Sequence, residues 1–116
     1  MPLKAVLHIN EVDRLSVAIN NARNLLRDTG GNDLDVLFLL NGAAVEALTS
    51  EDTLSALGEL AEKGIEIHVC RNSLKNLCGS GLCLDEEALP SFIKVVPAGI
   101  TALITLQNQG YAYIKP

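Results

Sequence analysis

The stretch with the clearest chemical potential is Glu66-Ile67-His68-Val69-Cys70-Arg71-Asn72-Ser73-Leu74, where a short β-branched run ends in a cysteine and a helix-like pattern begins. A thiol is nucleophilic to the extent that it is thiolate, and the unpaired N–H groups and partial positive charge of a helix start favour that anion. Arg71 adds a cation beside it. Cys70 is therefore the candidate nucleophile; the competing reading is a small buried cysteine that closes a strand. His68 shares its strand face, about 6–7 Å away, and reads as a hydrogen-bonded core histidine.

Two further cysteines follow, Cys78 and Cys83. Eight helical residues span about 12 Å, too far for a bond between Cys70 and Cys78. Cys83 lies beyond Gly79-Ser80-Gly81 and has more freedom to resolve an oxidised Cys70, although loop packing is the default for both. An odd number of cysteines without Cys-x-x-Cys spacing matches neither a disulfide framework nor a common zinc site. All three are expected as thiols in a reducing compartment, with no metal.

The elements that must position Cys70 alternate along the chain. Residues 3–9 are apolar apart from Lys4 and His8 and predict a strand buried on both faces. Val12, Leu15, Ile19, Ala22, Leu25 and Leu26 recur at helical spacing, with Asn10 or Asp13 as cap and Gly30-Gly31 as stop. Leu34 to Leu40 is the most apolar run and reads as a central strand. Thr49-Ser50-Glu51-Asp52 begins a helix that ends at Lys63-Gly64, and Ile65 to Val69 form the third strand. A short helix over Asn72–Leu77, a loop from Cys78 to Asp85 and a single helical turn before Pro90 lead to a fourth strand, Phe92 to Val96. A last helical stripe, Ile100 to Leu106, precedes a terminal strand, Tyr111 to Ile114.

This alternation predicts one α/β domain over residues 1–116: three layers, with a five-stranded, mostly parallel sheet, helices on both faces and the flavodoxin-like order 2-1-3-4-5. Loops at the carboxyl ends of parallel strands gather at one edge, where ligands bind. That rule assembles a candidate cleft from Asn10, Asn41, Gly42, Cys70, Arg71, Asn72, Pro97, Ala98 and Gly99. In the expected order, Asn10 and Cys70 flank the reversal.

Composition narrows the partners. Of 116 residues, 48% are hydrophobic but only 3% aromatic, so the core must be aliphatic, as suits helices on a parallel sheet. A net charge of −5 without a Lys/Arg cluster argues against nucleic acid or an anionic membrane as main partner. The amino terminus lacks the core of a signal peptide and no run reaches membrane-spanning length, so a cytoplasmic location is expected. Dinucleotide and P-loop glycine fingerprints are absent, no Ser-His-Asp arrangement is supported, and no cofactor is expected.

Three segments resemble the DsrE/DsrF-like family, including its small single-domain branch. They are Asn20-Asn21-Ala22-Arg23-Asn24-Leu25-Leu26, Gly64 through Leu74, and Val96-Pro97-Ala98-Gly99-Ile100 running on to Leu106-Gln107 and Gly110-Tyr111-Ala112-Tyr113. The likeness covers nearly the whole chain. Relatives in sulfur relay carry a cysteine after the third strand that accepts sulfur as a persulfide and hands it on, and Cys70 matches that position. The resemblance thus implies a sulfur carrier or sulfurtransferase-like protein, a homotrimer or hexamer, served by sulfur donor and acceptor proteins. The alternative is a noncatalytic small-ligand-binding or regulatory module that uses the same cleft.

Overall fold

The computed structural model describes residues 2–116. Strands β1 (Leu3–Ile9), β2 (Leu34–Leu40), β3 (Glu66–Cys70), β4 (Ile93–Val96) and β5 (Ala112–Ile114) alternate with helices α1 (Leu15–Thr29), α2 (Glu51–Glu62), α3 (Arg71–Gly79) and α4 (Gly99–Asn108). All four strand pairings are parallel. The α/β class is as expected, but the order is 4-3-2-1-5, not 2-1-3-4-5.

The reason lies in β2. Val36 through Leu40 are all buried, so the strand needs neighbours on both edges and cover on both faces, and the middle of the sheet supplies them. An order beginning with strand two would have left this run at an edge. From β1 the chain steps one way through β2, β3 and β4, then returns past the whole sheet to lay β5 beside β1. The reversal therefore lies between β1 and β5, and β2 separates Asn10 from Cys70.

Alternation along the strands sends two sets of side chains to opposite faces. Leu7, Ile9, Val36, Phe38, Leu40, Ile67, Val69 and Ile93 form the main core with α1, α2 and Leu74 of α3. Val6, Leu37 and Leu39 face the other way and meet Leu103 of α4 in a smaller core. One helix covers that second face, which leaves its strand-end rows partly open.

Local chemistry sets the boundaries. Ser50 caps α2 by accepting from the Thr53 N–H, and Gly30 ends α1 in the left-handed conformation. A 3₁₀ turn over Val12–Arg14 delays α1 to Leu15, without a side-chain cap from Asn10 or Asp13. A second 3₁₀ segment, Gly42–Thr49, fills a stretch for which the sequence predicted no element; Ala44, Val45, Ala47 and Leu48 bury its inner side. Cys78 and Cys83 are joined by a disulfide, which corrects the expectation of three thiols. It closes the loop after α3 and leaves Cys70 as the free cysteine.

Phe38 is fully buried on β2. Phe38→Ala is expected to destabilise the fold by about 3–5 kcal/mol. Leu82→Ala, in an exposed loop position, is expected to stay within about 0.5 kcal/mol of the parent protein. Urea unfolding midpoints measure both.

Candidate functional site

β3 runs into α3 without an intervening loop. Cys70 is at once the last strand residue and the N-cap of the helix, with extended backbone. Its side chain lies on the same face as His68, toward α4, and only 5% of the residue is exposed. The first N–H groups of a helix have no intrahelical acceptor, and Cys70 stands at that end of α3 without a side-chain cap hydrogen bond to them. The Gly99 backbone N–H donates to Sγ at 3.3 Å, and the nearby Ser73 hydroxyl and the backbone N–H groups of Ser73 and Asn72 favour the anion as neutral dipoles. Burial pushes the Cys70 thiol up, but these donors outweigh it and hold the thiol below the ordinary cysteine range.

The donors are fixed from neighbouring strand ends. The Gly42 N–H donates to Ser73 Oγ at 2.8 Å, which fixes the hydroxyl near the β3–α3 junction. Gly42 has φ +56°, and a side chain there would meet the Asn10 carbonyl oxygen at 3.4 Å. Gly99 opens α4 behind Ala98. A Cβ on Gly99 would come within 3.2 Å of Asn41 Nδ2 and 3.5 Å of the Cys70 Cβ, so glycine lets the β4–α4 junction reach the thiol.

The strand-end residues divide into two groups. Asn41, Gly42, Cys70, Asn72 and Gly99 come together around the sulfur. Pro97 and Ala98 lie in the adjoining wall, where they line a cavity of about 340 Å³ with His68, Val96, Thr101 and Leu106. Asn10 stands further out and accepts a hydrogen bond from Lys115. Arg71, expected as a cation for the thiolate, instead donates to Glu86 at 2.6 Å across the loop. The groups that hold the thiol down are neutral donors.

His68 is nearly buried at its side chain and lies 3.5 Å from a Glu66 oxygen. Burial lowers its pKa, Glu66 opposes that, and Lys94 adds to the lowering. His8 and Tyr113, which the sequence did not mark as site residues, also reach this edge. His8 Nε2 meets Asn41 Oδ1 at 2.8 Å, and His8 Nδ1 meets the Tyr113 hydroxyl at 2.6 Å. Each contact with His8 crosses a strand pairing, and Tyr113 is separated from it by 105 residues. Its only trace in the sequence is a histidine interrupting an otherwise apolar strand.

The family model described as DsrE/DsrF-like matches residues 8–116, and the chain belongs to this family, which is associated with sulfur relay. The structure of MTH1491 from Methanobacterium thermoautotrophicum, a protein of unknown function, is similar with a TM-score of 0.83 at 27% identity, covering 98% of this chain and 99% of that one. The ychN protein from E. coli shares the fold with a TM-score of 0.76 at 17% identity, over 98% of this chain and 99% of its own. BT1422 from Bacteroides thetaiotaomicron does so with a TM-score of 0.68 at 18% identity, over 97% and 94%. Among curated proteins there is no match.

The Ser73 hydroxyl favours the Cys70 thiolate. Ser73→Ala is expected to slow alkylation of Cys70 at neutral pH roughly tenfold, because a hydrogen bond to a charged acceptor is lost. The plot of rate against pH moves to higher pH. An unchanged profile would remove the hydroxyl from the account of the thiol's acidity.

Proposed function

We propose that the protein is a sulfur carrier that holds a persulfide on Cys70. The observation that carries this reading is one free thiol at a strand-to-helix junction that accepts from the Gly99 N–H of the neighbouring junction and has neutral donors of the helix start beside it. Membership of a family associated with sulfur relay supports it.

The chemistry is an exchange without net oxidation. The Cys70 thiolate attacks the outer sulfur of a donor persulfide, the donor's S–S bond breaks, and the electron pair leaves with the donor's inner sulfur as a thiolate. Cys70 now holds the outer sulfur and its proton. An acceptor thiolate then attacks that sulfur, and the electron pair of the broken S–S bond returns to Cys70 Sγ. Donors that favour the Cys70 thiolate assist both steps, since Cys70 is nucleophile in the first and leaving group in the second. Donor and acceptor proteins belong to the same proposal, as does a cytoplasmic setting in which a free thiol persists.

A second reading has its own observation. The cavity beside Cys70, walled by Val96, Pro97, Ala98, Thr101 and Leu106 with His68 at its side, suits a small, largely apolar ligand held without chemistry.

Incubation with a persulfide donor followed by mass spectrometry is expected to add one sulfur atom to Cys70, and Cys70→Ser is expected to abolish the gain. An unmodified Cys70 under conditions that load a glutathione thiol would count against the carrier and favour the ligand module.

A homotrimer or hexamer is also part of the proposal. Ile100 and Ile104 stand exposed on α4, as an apolar contact surface requires. Light scattering is expected to give the mass of the assembly, and Ile100→Glu combined with Ile104→Glu is expected to lower it. A parent protein that remains monomeric at micromolar concentration would refute this part.

A further inference from the structure

Asn41, His8 and Tyr113 form a chain of hydrogen bonds that ends next to Gly99, whose N–H donates to Cys70 Sγ. Its geometry follows from the sheet register. Tyr113 pairs with Val6, and His8 lies two residues further along the same face. His8 pairs with Leu39, which puts Asn41 two residues beyond its partner. Leu40 pairs with Val69, so Asn41 emerges alongside Cys70.

Asn41 Oδ1 faces His8 Nε2 at 2.8 Å; because Oδ1 can only accept, this arrangement goes with a hydrogen on Nε2. The Tyr113 hydroxyl at 2.6 Å from Nδ1 holds the ring from its other side. The amide therefore turns Nδ2, with two hydrogens, away from His8 and toward Gly99, whose own N–H donates to Cys70 Sγ. Among the described residues, Asn41 Nδ2 has no hydrogen-bond partner, and Asn41 is partly exposed. It is an open donor next to Gly99.

A persulfide places its terminal sulfur about 2 Å beyond Sγ, and in its ionised form that outer atom carries the charge. The Gly99 N–H is already given to Sγ, and the N–H groups at the start of α3 lie on the side of that inner sulfur. Arg71 is held by Glu86 and Lys115 is held by Asn10. We infer that the Asn41 amide donates to the outer sulfur of a Cys70 persulfide, and that His8 and Tyr113 are positioning residues that keep Nδ2 turned toward it. This rests on the sulfur-carrier reading and names the groups that stabilise the loaded state.

The test loads full-length protein with inorganic polysulfide and follows, by mass spectrometry, the loss of the added sulfur to a small thiol. Alkylation of unloaded Cys70 and thermal unfolding are measured in parallel. Asn41→Asp keeps the shape and the acceptor but removes the donor; it is expected to shorten the persulfide lifetime roughly tenfold with little change in melting temperature. Asn41→Ala is expected to do the same. His8→Glu offers Asn41 an acceptor and turns the amide round, so it is expected to shorten the lifetime although Asn41 is intact. His8→Gln retains an N–H for Oδ1 and is expected to restore the lifetime. Parent-like lifetimes in Asn41→Asp and His8→Glu would overturn the inference while leaving the carrier in place. So would equal losses in persulfide lifetime and in alkylation of the unloaded thiol, which mark a merely structural role. A parent protein that takes up no sulfur would overturn the carrier reading and this inference with it.

Discussion

The structure depends on an abrupt junction: β3 becomes α3 at Cys70, with no residue between them. A helix begun so abruptly presents its first N–H groups to whatever ends the strand. In most helices a serine, threonine, aspartate or asparagine oxygen meets them. Here a cysteine holds the cap position without a side-chain cap hydrogen bond, and the N–H groups of the helix start act on its sulfur as dipoles that favour the anion. The neutral character of these donors also matters, because a thiolate locked to a fixed cation makes a poorer nucleophile and a poorer carrier than one held by dipoles.

The sheet explains why the surrounding groups arrive where they do. Because β2 is central, Asn41 and Gly42 at its end lie beside Cys70 at the end of β3, and Gly99 comes from the end of β4 on the other side. Because the chain reverses between β1 and β5, Tyr113 is brought to His8, and His8 to Asn41. The lone helix α4 covers the second face only in part, so His68, on the same strand face as Cys70, lines a cavity instead of lying under a full layer.

Much of this was legible in the sequence. The strands and main helices follow from apolar periodicity and from glycine stops, and the candidate cleft from the rule that strand ends gather in a parallel sheet. The strand order did not follow, because parallel pairing leaves no local mark comparable to a hairpin turn. The uninterrupted apolarity of Leu34 to Leu40 was nevertheless a sign that β2 belongs in the middle. Arg71 illustrates a different limit. Its place beside Cys70 in the chain suggested a cation for the thiolate, but Glu86, fifteen residues on, is folded back to claim it. Cys78 and Cys83 were discounted by spacing rules that describe frameworks and metal sites; a single clasp across a glycine-containing loop fits neither. His8 and Tyr113 were hidden because their connection exists only once β5 is placed against β1.

The central claim is that the fold holds Cys70 as a thiolate at lower pH than an ordinary cysteine. Ultraviolet absorbance of the thiolate, titrated in the parent protein and in Cys70→Ser and taken as a difference to cancel the tyrosines, measures it directly. A difference curve with its midpoint clearly below that of a cysteine in an unstructured peptide is the expected result. A midpoint at or above the peptide's would mean that burial prevails over the donors, and would contradict the account.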